Sequence, residues 1–323
     1  MRILRGHAPS LAPTALTVGN FDGVHRGHQA LLRLVCDRAV ARQLTPAVLT
    51  FEPHPRERLA PTSAPPRLTP LRDKAALLAR EGIAQLHILP FTRRIAQWSP
   101  EAFIAFMVER LMVRHLIVGD DFRFGAHRAG TLETLLDAGE RFGFTVEAMS
   151  TLTFGPERIS SSAVRTALDA GNVEHAAVLL GRWYAVTGRV HPGAQLGRQI
   201  GVPTMNLRIA PRQALPSGVF VGWVTGLGNR PEPAVINVGV RPTVTQRHST
   251  DRAPCPLPSP TLEAHLLDWH GDAYGKRITV HFAAKLRNEQ RFPSLAALTT
   301  QIHDDIAAAR RWHATHPTQY PLD

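Results

Sequence analysis

Short apolar runs alternate with amphipathic stretches through the first half of the chain. "ALTV" (Ala15–Val18) reads as a strand, and Gly27 to about Gln43 as a helix. "AVLTF" (Ala47–Phe51) is the next strand. Thr69-Pro70 opens a helix running to about Arg80, with threonine as N-cap and proline in the first helical position. "LHILPF" is a strand, and Ser99-Pro100-Glu101 opens a helix ending near Leu111 with the same cap chemistry. "HLIVGDDF" is a strand, Thr131–Phe142 a helix, and "FTVEAMSTL" a strand. Short apolar strands alternating with longer helices predict a parallel sheet covered on both faces, which places this half in the α/β class. Ligands of such sheets bind at the carboxyl ends of the strands.

The pattern then changes. Ser160–Leu180 reads as two short helices broken by "AGN" at 170–172. Beyond Gly181 the helical period disappears. "YAVTGRV", "GVFVGWVTGL", "PAVINVGV", "TLEAHLLDW" and "RITVHFAAKL" are strands separated by Gly, Pro and Asn turns, which predicts an antiparallel β-barrel. One helix, about Ser294 to Arg311, closes the chain with Leu295, Leu298, Ile302 and Ile306 on one stripe. Residues 244–261, "VTQRHSTDRAPCPLPSPT", are Pro-rich and aperiodic and read as a long exposed loop.

A length of 323 residues is more than one comfortable core needs, and the change of pattern puts two domains at 1–182 and 183–323. There is no uninterrupted apolar run of about 18 residues, so no membrane span is expected. The basic start "MRILRGHAPSLAP" lacks the apolar segment of a signal peptide, and a cytoplasmic protein is the default. Cys36 and Cys255 are far apart in no metal-like spacing, so a disulfide is not expected.

The net charge is +11, split as 22 Lys+Arg against 17 Asp+Glu in residues 1–182 and 15 against 9 in the rest. This even spread, without a basic tail, argues against a dedicated nucleic-acid surface and leaves anionic small molecules as partners. A monomer or weak homo-oligomer is expected.

The chemistry concentrates at a strand end. In "LTVGNFDGVHRGHQALL" (Leu16–Leu32) a helix begins just after Val24, so its first N–H groups and its dipole face an anion above the strand. Gly19, Gly23 and Gly27 permit close backbone approach. His25 and His28 lie three apart on one face of the first turn, where they can donate to phosphate oxygens as charge develops.

Ser160, Ser161 and Ser162, followed by Arg165, offer hydroxyls, amides and a guanidinium at another helix start, which suits a triphosphate. Asp121 after a strand suits Mg²⁺ or ligand hydroxyls, or is simply a turn residue. His54 in "PHP" suits a phosphate, or plainly ends the strand. Further along, Gly193, Gly197 and Gly201 in "GRVHPGAQLGRQIGVPTMNL" (Gly188–Leu207) make a phosphate-wrapping loop that is not a Walker A sequence. Thr204 and Asn206, two apart on extended chain, share a face and offer two neutral oxygens to Mg²⁺.

"GNFDGVHRGH" between a strand and a helix resembles the nucleotidylyltransferase superfamily. With "TFEPHP", "VGDDFRFG" and "ERISSSAVRTAL" it resembles the bacterial bifunctional riboflavin kinase/FAD synthetase family. "GRQIGVPTMNL", "PSGVF", "INVGVRPT", "LEAHLLDWHGDAYG" and "KLRNEQRFPSLAALTTQI" continue that resemblance nearly to the C-terminus.

The resemblance implies a Rossmann-like nucleotidylyltransferase domain with a parallel sheet, then a riboflavin kinase-like barrel with a closing helix. It implies ATP and Mg²⁺ as co-substrate and cofactor, and riboflavin, FMN and FAD as substrates and products. Gly19, Asn20, Phe21, Asp22, Ser161, Ser162 and Arg165 would bind ATP in the adenylyl site, with His25 and His28 on its phosphates. His54, Asp121 and Arg158 would bind FMN. In the kinase, Gly193, Gly197, Arg198 and Gly201 would hold phosphates, Thr204 and Asn206 the metal, and Arg287 the flavin or the closure of its site.

Glu263 would be the kinase base. In "TLEAHLLDW" the residues Leu262, Ala264 and Leu266 alternate on one face, which turns Glu263 to the other. Ser162 departs from the family's usual threonine but keeps the hydroxyl, and the 244–261 loop is longer than the family's by about ten residues. A narrower alternative keeps one working site and makes the other domain a flavin-binding or regulatory module. An RNA-binding protein without turnover lacks any aromatic RNA-binding motif here. A class I aminoacyl-tRNA synthetase, which also carries His-x-Gly-His, leaves the barrel half unexplained.

Overall fold

A computed structural model describes residues 1–193, 197, 201–240 and 260–316. The chain divides into two compact units, Met1–Ser161 and Ser162–Asp323.

The first unit is built on six parallel strands: β1 (Arg2–Arg5), β2 (Thr14–Val18), β3 (Thr45–Glu52), β4 (Gln85–Pro90), β5 (Val113–Gly119) and β6 (Thr145–Met149). Their order is β1-β4-β3-β2-β5-β6. The predicted alternation is therefore observed, with β1 added as an edge strand paired to β4. Successive side chains go to opposite faces. Leu16, Val18, Leu49 and Leu116 pack on one side with α5 (Pro100–Glu109) and α6 (Leu132–Phe142). Ala15, Val48, Leu86 and Ile117 pack on the other with α1 (Arg26–Ala41) and α3 (Leu71–Arg80).

This order has a functional consequence. From β2 the chain runs to β3 and β4 on one side, then returns to place β5 on the other side of β2. The carboxyl end of β2 therefore lies at the switch point where open parallel sheets leave a crevice. The histidine motif begins there.

The helix caps follow their chemistry, with one correction. Ser99 accepts from the Ala102 N–H, with Pro100 in the first turn, as expected. Thr69 was expected to cap α3, but the helix begins at Leu71, Pro70 takes the cap position, and no side chain caps it. Thr69 is occupied elsewhere, because its hydroxyl is used by the histidine loop.

The boundary between the units falls within α7 (Ser161–Asp169), and the second unit continues with α8 (Val173–Leu180), joined through Gly171 at φ +73°. A closed antiparallel barrel follows, in the order β10-β13-β12-β11-β14-β9. Its strands are β9 (Tyr184–His191), β10 (Met205–Arg208), β11 (Gly218–Thr225), β12 (Glu232–Val240), β13 (Pro260–Leu266) and β14 (Arg277–Arg287). Five were predicted, and the sixth is the short β10, which carries Asn206.

The closing helix α9 runs Leu295–Thr315, longer than expected. Its Ile306, Ala309 and Trp312 pack on Val221, Val235 and Leu267 of the barrel. Leu295, expected on the buried stripe, is 64% exposed, because packing starts a turn later in the helix. The loop expected at 244–261 lies, up to residue 259, outside the described residues, as do Arg198 and Cys255.

Candidate active sites

In the first unit the loop from Gly19 to His25 leaves β2 and enters α1. It turns sharply: Phe21 (φ 49°), Gly23 (φ 86°) and Val24 (φ 42°) all adopt left-handed conformations. For a β-branched valine this is costly, about 1–3 kcal/mol, and it persists only where surrounding contacts over-determine it.

Those contacts are numerous. The Gly19 N–H donates to the Leu49 carbonyl at 3.0 Å, and Thr50 Oγ1 to the Asn20 carbonyl at 3.4 Å. Gln29 Nε2 donates to the Val24 carbonyl at 2.9 Å. Ser161 Oγ, at the end of the first unit, donates to the Asp22 carbonyl at 2.8 Å.

The loop delivers the two histidines together. His25 is the N-cap of α1, and its Nδ1 accepts from the His28 N–H at 3.3 Å. That bond makes Nδ1 the acceptor, so in the neutral ring the proton is on Nε2. The imidazoles stack at 3.6 Å between centroids, 18° from parallel, with Phe21 behind His28 at 5.0 Å. His25 is buried and His28 half-buried. A side chain at Gly27 would press on the His25 ring at 3.2 Å. Asn20 Oδ1 is buried without a hydrogen-bond partner among the described residues, which leaves an acceptor available to a ligand donor.

Asp22 is placed differently from a simple ligand group. Its side chain is buried and accepts from the N–H groups of Leu68 and Thr69, and from the Thr69 hydroxyl at 3.4 Å. Phe21 is buried as well, against the His28 ring. His54 caps the short α2 (Pro55–Leu59), with Nδ1 accepting from Arg56 N–H.

Sequence reasoning missed Arg67, which forks onto Glu52 at 2.7 Å and Glu57 at 2.5 Å. Its hydrogen bond to Glu57 and the field of both carboxylates hold the guanidinium firmly charged. The same region buries Lys74, whose ammonium is pushed below its ordinary pKa by burial. The only sequence signal was "RLT" following a Pro-rich run, and the prolines masked it.

Asp121 and Arg158 are brought together at 2.5 Å, both more than half exposed, so the pair is weak and open to exchange with an anion or a hydroxyl. The neighbouring Asp120 is structural. It accepts from Thr151 N–H and Oγ1, bonds that hold its carboxyl below the usual range. Ser162 and Arg165 follow Ser161 on α7.

In the second unit the register of the barrel assembles the site. Asn206 stands opposite His191 on one side and Glu263 on the other, and Glu263 stands opposite Asn237. Directly paired residues share a face, with Cβ atoms about 5 Å apart. His191, Asn206, Glu263 and Asn237 therefore form one transverse polar row. Leu262, Ala264 and Leu266 are buried on the opposite face, as the alternation predicted, and Glu263 is half-buried.

The loop before β10 is shaped around Asn206. A Cβ on Gly193 would overlap its amide, and one on Gly197 would overlap the Val202 carbonyl. The Gly197 carbonyl accepts from Val202 N–H at 2.8 Å, and Gly201 sits at φ +75°. His265 Nδ1 bonds the Pro203 carbonyl at 2.8 Å, which fixes the chain just before Thr204. Glu289, not anticipated, lies against Gly239, whose strand partner Thr261 precedes Glu263 by two residues.

Arg287 grips Asp305 of α9 through Nε at 2.9 Å and Nη2 at 2.7 Å, and lies over Phe292 at 5.7 Å. Its fork is thus used to anchor the closing helix.

A family model described as FAD synthetase matches residues 7–163, and one described as riboflavin kinase matches residues 180–313. Relatives named bifunctional riboflavin kinase/FMN adenylyltransferase are similar over nearly the whole chain. That of Escherichia coli strain K12 is 44% identical over 317 residues, 97% of this chain and 98% of the relative. That of Pseudomonas fluorescens is 43% identical over 314 residues, 96% of this chain and 97% of the relative. A solved structure described as a macrolide-efflux protein from Streptococcus pneumoniae has a TM-score of 0.83 at 26% identity and covers 97% of this chain and 100% of that one. Among the described residues, no helix is long and apolar enough to cross a membrane. Two domain models in order and full-length similarity above 40% leave one assignment: the chain belongs to the bifunctional riboflavin kinase/FMN adenylyltransferase family.

Proposed function

We propose that the two reactions are divided between residues 183–323, which phosphorylate riboflavin to FMN, and residues 1–182, which adenylylate FMN to FAD. The observation that carries this reading is that each half assembles its own constellation. One is the stacked His25–His28 pair at the mouth of α1. The other is the Asn206–Glu263 pair across β10 and β13.

In the adenylyl site an FMN phosphate oxygen attacks the α-phosphorus of ATP, and pyrophosphate leaves. The attacking phosphate is already ionised, so alignment and charge neutralisation do the catalysis. His25 and His28 donate to the phosphates, and the first N–H groups of α1 add their dipole. Gly19, Asn20 and Ser161 hold ATP. Phe21 supports the His28 ring, and Asp22 shapes the loop. His54, Asp121 and Arg158 receive FMN.

In the kinase the 5′-hydroxyl of riboflavin attacks the γ-phosphorus of ATP, ADP leaves, and Glu263 takes the hydroxyl proton. Gly193, Gly197 and Gly201 wrap the phosphates, and Arg287 holds the closing helix on the barrel. Thr204 and Asn206 present hard, neutral oxygen donors with the Glu263 carboxylate adjacent, a set that fits Mg²⁺. When bound, Mg²⁺ supplies charge neutralisation on the ATP phosphates.

The test is a time course of the purified protein with riboflavin, ATP and magnesium chloride, with the flavins separated. FMN is expected first and FAD after it. Absence of FMN, or FMN that never proceeds to FAD, overturns the division of labour.

A further inference from the structure

Thr69 lies far along the chain from the histidine motif and outside every motif that the family resemblance used. Yet its hydroxyl sits in the middle of that motif's supports. The Gly23 N–H donates to Thr69 Oγ1 at 3.0 Å, in a buried setting. Thr69 Oγ1 lies 3.4 Å from Asp22 Oδ1, to which it donates. The same Oδ1 accepts from Thr69 N–H at 3.0 Å, and both oxygens of Asp22 accept from Leu68 N–H at 3.1 Å.

A single hydroxyl thus closes a ring of hydrogen bonds between two segments. It satisfies the amide of Gly23 at the point where the backbone turns left-handed, immediately before the left-handed Val24 and the cap residue His25. Thr69 is 7% exposed and Asp22 4%, so water is poorly placed to substitute for either.

Resting on the adenylyl-transfer reading above, we propose that Thr69 is a positioning residue for adenylyl transfer. Its hydroxyl, oriented by the Asp22 carboxylate, holds the Gly23 amide and so fixes the loop that presents His25 and His28 to the phosphates. Both roles of the hydroxyl are needed, one accepting and one donating. Serine can fill them, whereas valine, of nearly the same shape, fills neither.

The experiment compares Thr69→Val and Thr69→Ser in the full-length chain, with riboflavin phosphorylation by the same preparations as an internal reference. Thr69→Val is expected to lower kcat for FMN adenylylation about tenfold, the loss of one buried hydrogen bond in the transition state, with KM for ATP moving less than kcat. Thr69→Ser is expected to recover most of that loss. Amide exchange of residues 19–25 should quicken in the valine variant and return towards wild type with serine. If valine prevents folding of the unit, Thr69→Ala removes the hydroxyl without adding bulk and is held to the same outcomes.

A hydroxyl-free variant with unchanged kcat, even at lowered melting temperature, overturns the proposal. So does a serine variant as slow as valine. Failure of the underlying reading is seen separately, as His28→Ala that still makes FAD at the wild-type rate.

Discussion

Gly193 and Asn206 lie so close that a single methyl group on the glycine would occupy the space of the asparagine amide. Only a residue without a side chain leaves room for that amide, and both residues belong to the kinase site proposed above. Gly193→Ala is expected to cut FMN formation from riboflavin at least about tenfold by displacing Asn206 by roughly an ångström. Conversion of supplied FMN to FAD should be unchanged. Parallel assays of the two steps check this, and an unaffected kinase would show that the amide is not part of it.

Glu263→Gln keeps the shape of the row and removes the carboxylate proposed as proton acceptor. Riboflavin phosphorylation is expected to fall by about 10²–10⁴, while FMN adenylylation continues. His28→Ala should give the mirror image, with FMN accumulating and FAD formation falling on the order of a hundredfold. Flavin time courses on both variants check the pair, and either change leaving both steps intact would contradict the assignment.

His87 in β4 is 2% exposed, and its Nε2 has no hydrogen-bond partner among the described residues. Burial pushes its pKa down to about 4 from an ordinary 6.5. The folded state therefore keeps the ring neutral where the unfolded chain binds a proton. Its contribution to stability is intact above about pH 6.5 and is lost as pH falls from there towards about 4, by an amount on the order of 3 kcal/mol. Urea unfolding at several pH values should show a shallower acid decline for His87→Leu than for wild type, and equal slopes would refute it.

The Arg287–Asp305 pair joins β14 to α9, with side chains 20% and 7% exposed. Asp305→Ala leaves the guanidinium unpaired in a half-buried setting and is expected to destabilise the barrel unit by about 2–4 kcal/mol. Thermal unfolding followed by kinase activity checks this. Arg310 of α9 also pairs with Asp268, but with side chains 50% and 71% exposed, so removing that pair should shift the melting temperature little.

Whatever depends on neighbours a few residues apart is legible along the chain. Alternating strands and helices, the Ser99 cap, the inward Leu262, Ala264 and Leu266, and the two histidines on one helical turn all came from local spacing, and all are observed. Tertiary structure decided the rest. The edge strand β1 and the four-residue β10 are too short to show a period and exist because a neighbouring strand supplies their hydrogen bonds. Thr69 looks like a helix cap in its own tripeptide, but Gly23 and Asp22 claim its hydroxyl across the fold. Asn206 and Glu263 meet only because the barrel closes in one register, and a slip of one residue would turn every side chain to the other face. Periodicity records which way a side chain points along its own strand; which residue it then meets is settled by strand pairing, which no short stretch of chain encodes.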